Sequence, residues 1–236
     1  MIINQIHSIG DILFLEPMFR YFWKERGARP IVPLRDHLMW MADYIDSANF
    51  VKLSTFHWPY KNEMAMSDDY LPLRWANQII RGYDENDHHD FENMMNDKYI
   101  LAGLEPDMWR ELKLNFKDNR SEKLMIHLGL MEKSGSIVRY VLVNENSQAG
   151  NITIKPKTNL QVVKMRDIPG FTVIDWHLVI QMAVENHHVS TSTFYLMQAI
   201  TNQYHFDSIV FLYPRPNQDG LRGISQLNPT FRYTLM

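Results

Sequence analysis

Two segments, one near each end of the chain, change from strand-like to helix-like hydrophobic spacing across a short polar loop. In residues 2–22, a β-branched run gives way to apolar residues at helical spacing, namely Leu15, Met18, Phe19 and Phe22. In residues 186–200, a β-prone stretch runs through four consecutive hydroxyl residues into an amphipathic helix. A strand that leads directly into a helix is the repeating unit of a parallel sheet, so both junctions predict an α/β chain.

The rest of the sequence alternates in the same way. Strands are predicted at residues 29–33, 50–55, 137–144, 160–165 and 208–213, and helices at residues 37–44, 93–104 and 175–185. Residues 57–96 carry no long periodicity and are interpreted mainly as loops, and residues 225–236 show no pattern. Because each half of the chain repeats β-α-β, the sequence predicts two Rossmann-like domains that face a central cleft.

A domain boundary is expected near the middle of the chain. The polar stretch at residues 115–123 and the turn at residues 134–136 are both candidate linkers. We place the boundary between them, with domains at residues 1–125 and 126–236. The length of 236 residues fits two domains of ordinary size.

Composition excludes several classes of protein. The formal net charge of −3 gives no basic surplus for nucleic acid, and zero cysteines exclude a disulfide scaffold. No apolar segment approaches the roughly 18 residues of a membrane helix, and no signal peptide precedes the first strand. We therefore expect a cytoplasmic protein without a membrane span, and its oligomeric state is left open.

Asp11 lies where the first helix is predicted to begin. The helix macrodipole and unpaired backbone N–H groups stabilise a carboxylate there, so we expect it to be ionised at neutral pH. It serves either as a helix cap or as a general base at the end of the first strand. Its neighbours Ser8 and Gly10 belong to the same loop, and His7 either contacts an acceptor or packs in the core.

The second junction carries four hydroxyl residues, Ser190, Thr191, Ser192 and Thr193. A helix start offers unpaired N–H groups and positive potential, which together favour binding of a phosphate. The alternative is that one hydroxyl is only an N-cap. Polar residues after the predicted strand at 137–144 either line the same site or form a turn, and these are Asn144, Asn146, Ser147 and Gln148.

Two histidine-containing segments suggest metal binding only weakly. Residues 87–90 (Asp-His-His-Asp) and the pair His187 and His188 contain ligand types, but adjacent histidines do not readily converge on one ion. No metal is expected. Asp167 and Asp175 are possible ribose ligands, although Asp175 directly precedes a helical pattern and is more simply its N-cap.

Residues 8–17 (Ser-Ile-Gly-Asp-Ile-Leu-Phe-Leu-Glu-Pro) resemble the Gly-Asp-x-Leu-x-x-x-Pro opening of heptosyltransferase-like glycosyltransferases, glycosyltransferase family 9, which have the GT-B fold. Residues 175–183, 189–200 and 209–214 are similar to that family's order of helix, strand, phosphate loop, helix and final strand. The matching segments cover about a third of the chain and are degenerate patterns.

The resemblance implies a compact GT-B transferase that uses a nucleotide-diphosphate sugar and no further cofactor. It implies that Asp11 deprotonates the acceptor hydroxyl, that residues 190–193 hold the donor diphosphate, and that a lysine neutralises it. Lys155 is the nearest candidate and Lys157 the second. The sequence departs from the family's phosphate loop, where Asp precedes the hydroxyl residue and Gly and His follow it, since the chain has Val189, Ser192 and Phe194 there.

The sequence therefore predicts a glycosyltransferase that inverts the anomeric centre. It contains no Asp-x-Asp triplet, which agrees with a metal-independent reaction. The acceptor hydroxyl is left open among a glycan, a lipid-linked sugar, a protein and a modified nucleobase. An inactive Rossmann-like nucleotide-binding module is the alternative, and a nicotinamide oxidoreductase is disfavoured because Gly-x-Gly-x-x-Gly follows none of the predicted strands.

Overall fold

The structure, a computed structural model, describes residues 1–5, 8–59, 62–82, 91–132, 134–147, 150–216 and 227–236, without the side chains of residues 91–94. The chain divides into two compact units, Met1–Asn115 and Phe116–Met236. The predicted α/β class with parallel sheets is confirmed.

The division between the two units lies before the predicted boundary at residue 125. The helix that contains Ser121 packs within the second unit, where the Ser121 hydroxyl accepts a hydrogen bond from the Leu178 N–H at 3.0 Å. The cleft between domains stays a prediction.

The first unit is built on four parallel strands in the order β3-β2-β1-β4. The strands are β1 (Ile2–Ile3), β2 (Ile31–Leu34), β3 (Asn49–Lys52) and β4 (Tyr70–Leu71). β4 lies in the region that the sequence interpretation assigned to loops, and that assignment is wrong here. Two residues are too short to show a period, and pairing with β1, with Ile3 opposite Leu71, defines the strand.

The first helix, α1 (Ile9–Arg26), begins at the predicted junction and ends at Gly27, whose φ of 67° suits a left-handed C-cap. All four residues of the predicted apolar stripe are buried, which confirms the period change across the loop. The other helices that the structure describes in the first unit are α2 (Ala76–Arg81), α3 (Phe91–Leu101) and 3-10 segments at Asp36–Asp43, Leu53–Thr55, Leu73–Trp75 and Pro106–Glu111. The interpretation of residues 57–96 as loops is therefore wrong at α2 as well.

The second unit is built on five parallel strands in the order β11-β10-β9-β5-β8. Its strands are β5 (Tyr140–Asn144), β8 (Gln161–Lys164), β9 (Glu185–Val189), β10 (Ile209–Tyr213) and β11 (Tyr233–Leu235), with a separate antiparallel hairpin of β6 (Asn146–Ser147) and β7 (Gly150–Asn151). β5 is buried along its length and lies between two strands, as its apolar sequence predicts.

The described residues of the second unit also form the helices α4 (Asp118–His127), α5 (His177–Gln181) and α6 (Ser192–Gln203), with a 3-10 turn at Val173–Trp176 before α5. α5 and α6 are the crossovers that precede and follow β9. Within the described ranges, no helix combines the length and apolar character that a membrane crossing requires.

The strand register decides which residues meet at the carboxyl edge of the second sheet. Asn144, the last residue of β5, lies opposite His188 of β9, and Val189 lies opposite Tyr213, the last residue of β10. The carboxyl ends of β5, β9 and β10 therefore share one edge, and α6 begins just beyond it. Open parallel sheets bind ligands at this edge.

Candidate functional sites

Asp11 is the third residue of α1, and its carboxylate belongs to a capping box. Oδ2 accepts hydrogen bonds from the backbone N–H of Ser8 at 3.1 Å and from the Ser8 hydroxyl at 2.8 Å. In return, the Ser8 oxygen accepts from the Asp11 N–H at 3.3 Å. Ser8 is therefore the N-cap, and Asp11 closes the box from the first turn.

Lys98 of α3 is the second partner of Asp11, and sequence reasoning did not find it. Its Nζ lies 2.5 Å from Asp11 Oδ1, and only 5% of its side chain is exposed, against 17% for Asp11. Because 87 positions separate the two residues in the chain, no local pattern indicates the contact. The ion pair fixes the carboxylate at the carboxyl-terminal side of β1.

Gly10 is buried in the first turn of α1, next to Asp11. Ser8 is half-buried and makes the capping contacts, so the structure places two of the three predicted acceptor-side residues beside the carboxylate. His7 lies outside the described residues.

The four hydroxyl residues form the predicted junction between β9 and α6, which we call the hydroxyl loop (Ser190–Thr193). Thr191 takes the N-cap position with extended backbone, φ −142° and ψ −165°, but no side chain caps the helix. The prediction that one hydroxyl residue is the N-cap is therefore confirmed for its position, but the Thr191 side chain makes no capping hydrogen bond. Backbone N–H groups at the start of α6 consequently lack the usual side-chain acceptor.

Asn144 reaches the hydroxyl loop from the end of β5. Its side-chain N–H donates to Thr191 Oγ1 at 3.4 Å, and its Oδ1 accepts from the Asn146 N–H at 3.3 Å. The Thr191 and Thr193 hydroxyl oxygens lie 3.0 Å apart, and Thr193 is almost fully buried. The structure thus brings Asn144 together with the hydroxyl loop, as the sequence predicts.

Ser190 is fully buried, and its hydroxyl has no hydrogen-bond partner among the described residues. A buried polar group without a partner is rare in native structures and calls for an explanation such as a ligand or a water molecule. Its backbone N–H is satisfied by the Tyr213 carbonyl at 3.1 Å. The unsatisfied hydroxyl lies directly before the uncapped start of α6.

The cation that the structure places at the hydroxyl loop is Arg215. The Arg215 Nε donates to the Ser190 carbonyl, and the residue follows β10 by two positions. Lys155 and Lys157 are exposed on residues 152–158, which carry no regular secondary structure. Arg215 was missed because it follows Pro214 in a segment without a pattern, although its position after a strand end was visible in the sequence.

Asp175 and Asp167 were the two possible ribose ligands in the sequence. The structure gives Asp175 a role in holding a helix start and leaves Asp167 on the surface. Asp175 is fully buried, closes a capping box with Thr172, and accepts from Arg120 at 2.9 Å. Thr172 is the N-cap, so Asp175 stabilises the helix start from within the turn rather than from the N-cap position. Asp167 is exposed in the segment after β8.

The candidate metal ligands do not form one cluster in the described part of the chain, where no three acidic or histidine side chains converge. His187 bonds to Glu185 and to the Tyr213 hydroxyl, at 2.9 and 3.0 Å. His188 instead lies within hydrogen-bond distance of Thr193 and Asn186, at 3.2 and 3.1 Å. Residues 87–90 and Gln148 lie outside the described residues.

Comparison with solved structures identifies the fold. No protein-family model and no curated protein sequence matches the chain.

The glycosyl transferase family 9 structure from Veillonella parvula DSM 2008 superposes on the chain with a TM-score of 0.51 at 8% sequence identity. The superposition covers 100% of this chain and 85% of that one. The iron-containing dodecameric glycosyltransferase TibC from enterotoxigenic E. coli H10407 superposes with a TM-score of 0.52 at 14% identity, over 94% of this chain and 63% of that one. The chain therefore has the fold of these glycosyltransferase structures, which confirms the resemblance at the level of fold, and it spans less than two thirds of TibC.

Proposed function

We propose that the chain is a glycosyltransferase that moves a sugar from a nucleotide-diphosphate sugar to an acceptor hydroxyl. The observation that carries the proposal is the hydroxyl loop. An uncapped start of α6, a buried hydroxyl without a partner and the Asn144 amide meet at the carboxyl edge of a parallel sheet. The fold that the chain shares with two glycosyltransferase structures supports the same proposed function.

In the proposed reaction, the acceptor O–H bond breaks and its proton passes to the Asp11 carboxylate. The acceptor oxygen forms a bond to the anomeric carbon from the side opposite the leaving group, so the configuration inverts. The bond between the anomeric carbon and the diphosphate oxygen breaks, and its electron pair leaves with the diphosphate. No metal ion is required in this scheme.

The hydroxyl loop stabilises the leaving diphosphate as its charge grows. Backbone N–H groups at Ser192 and Thr193 are positioned before the reaction begins, and the macrodipole of the 12-residue helix α6 adds positive potential. Donors fixed in this way commonly contribute about 3 to 4 kcal/mol to transition-state stabilisation. Arg215, or Lys155 as the resemblance implies, supplies the cation.

A specific observation also favours the alternative, a nucleotide-binding module without turnover. The Asp11 carboxylate is already engaged by Ser8 and by Lys98, and those contacts explain the residue as a structural element of α1. Such a module needs the hydroxyl loop but has no use for a base. The two functions therefore differ in what they predict for Asp11 and agree on the donor.

A ligand screen tests the donor class. We expect one of the UDP-, GDP-, ADP- or CMP-sugars to raise the thermal midpoint, since a ligand at about 100 times its Kd adds about 3 kcal/mol to the free energy of unfolding. For a chain of this size, the midpoint rises by about 5 to 10 °C. NAD serves as the control, and a response to NAD alone would contradict the proposal.

A further inference from the structure

A continuous row of hydrogen bonds joins the core of the second unit to the hydroxyl loop. It begins at Asn186 of β9, whose amide Nδ2 donates to the Ile180 carbonyl at 2.9 Å and lies 2.6 Å from the Ser208 hydroxyl. A carbonyl oxygen is only an acceptor, so the nitrogen of this amide faces Ile180 and its oxygen faces the other way. That oxygen, Oδ1, lies 3.1 Å from His188 Nε2.

The orientation of the Asn186 amide decides the protonation of the His188 ring. Because Oδ1 only accepts, Nε2 of His188 carries the proton. Burial lowers the pKa of His188 to about 3, and the neighbouring His187 adds to the effect, so the ring is neutral at pH 7. In a neutral ring with a protonated Nε2, Nδ1 is an acceptor.

The direction of every later bond in the row follows from His188. Its Nδ1 lies 3.2 Å from the Thr193 hydroxyl, so that hydroxyl donates to the ring. Thr193 then has no proton left for Thr191, and the 3.0 Å contact between them runs from Thr191 to Thr193. The Thr191 oxygen in turn accepts from the Asn144 amide.

We propose that His188 is a positioning residue of the hydroxyl loop, which sets the proton directions of Thr193 and Thr191 and through them holds the Asn144 N–H side toward the start of α6. This inference rests on the proposed function of the loop as a diphosphate site. The protons of Thr191 and Thr193 are directed inward, away from a ligand. The donors offered to the diphosphate are then the backbone N–H groups, the Ser190 and Ser192 hydroxyls and the Asn144 amide.

The wild-type ring gives a test that does not depend on any ligand. Nitrogen-15 NMR of the histidine side chains at pH 7 is expected to show His188 as the neutral tautomer with Nε2 protonated and Nδ1 unprotonated. Replacing Thr193 with Val is expected to shift the Nδ1 resonance, because its hydrogen-bond donor is lost. A proton on Nδ1 in the wild type would overturn the inference.

Two substitutions test the consequence for binding, with inorganic pyrophosphate as the probe in calorimetry. In His188→Leu the acceptor for Thr193 is removed, so the Kd for pyrophosphate is expected to rise about tenfold. In His188→Asn the side-chain oxygen replaces Nδ1 as acceptor at a similar distance from the backbone, and most of the affinity is expected to return. Equal loss in both variants would assign His188 a purely structural role and contradict the proposal.

His187→Asn is the matched control, since His187 is a buried histidine on the same strand that bonds to Glu185 and Tyr213 instead of to the row. Its affinity for pyrophosphate is expected to equal that of the wild type. If wild-type protein binds no pyrophosphate and no sugar nucleotide, the proposed function fails, while the tautomer measurement still decides the role of His188.

Discussion

Sugar transfer by the Asp11→Asn variant is expected to be about a hundredfold to ten-thousandfold slower than by the wild type, because a positioned general base contributes that much to the rate. Asn keeps the size of the side chain and an acceptor oxygen for Ser8, but it does not take up a proton. Binding of the sugar nucleotide is expected to stay close to that of the wild type, since the hydroxyl loop belongs to the other unit. The measurement is release of the nucleoside diphosphate in the presence of candidate acceptors.

Stability has to be separated from catalysis in this experiment. Asp11→Asn also leaves Lys98 without its carboxylate, and removing one partner of a buried ion pair costs about 3 to 5 kcal/mol. Asp97→Asn is the matched control. Asp97 is a fully buried carboxylate in the same unit, held by Arg81 at 2.6 and 2.9 Å, and it has no part in the proposed reaction.

We expect the Asp97→Asn control to lose stability and to keep its transfer rate at temperatures below its thermal midpoint. Unchanged turnover in Asp11→Asn would remove Asp11 from the role of base. Tight donor binding in a wild type without turnover on any acceptor would instead favour the nucleotide-binding module.

Acidification is expected to destabilise the second unit through His188. Its folded-state pKa of about 3 lies below the ordinary value of 6.5, so the stabilising contribution is complete above pH 6.5 and is lost as the pH falls toward 3. Each pKa unit corresponds to about 1.4 kcal/mol, so the loss reaches about 3 kcal/mol at pH 4.5 and about 4 kcal/mol at pH 3, where the folded ring is itself half protonated. The physical cause is that protonation charges a ring that has no contact with water.

The His188→Asn variant isolates this contribution, because an amide does not titrate and the other ionisable groups are shared. The free energy of unfolding is measured in urea between pH 7 and pH 4, with the fluorine NMR signal of 5-fluorotryptophan at position 176. Trp176 is the single tryptophan of residues 116–236, so its signal reports the second unit. Equal pH slopes for the wild type and the variant would contradict the assignment.

Local patterns predicted the junctions well. The start of α1 was visible because its first-turn acidic residue and its apolar stripe are separated by fixed helical spacings, and the structure confirms the helix there. The same holds for β9, the hydroxyl loop and α6, where a change of period marks the boundary. Packing of a single face against a core imposes such periods on the sequence itself.

Short strands and side-chain contacts that depend on residues distant in the chain were not visible in the sequence. β4 and β11 have two and three residues, and their hydrogen bonds to β1 and β10 define them. Lys98 lies on a helix that the pattern indicates, but its contact with Asp11 depends on how α3 packs. The row from Asn186 to Asn144 likewise depends on the register of β5 against β9, which a single sequence does not encode locally.

The most direct test of the proposed function is an amide NMR titration of the wild type with the sugar nucleotide that gives the largest thermal shift. We expect the largest chemical-shift changes at the backbone N–H groups of Ser192 and Thr193 and at the side-chain amide of Asn144. Saturable binding that leaves these three signals unchanged would contradict the assignment of the hydroxyl loop as the diphosphate site.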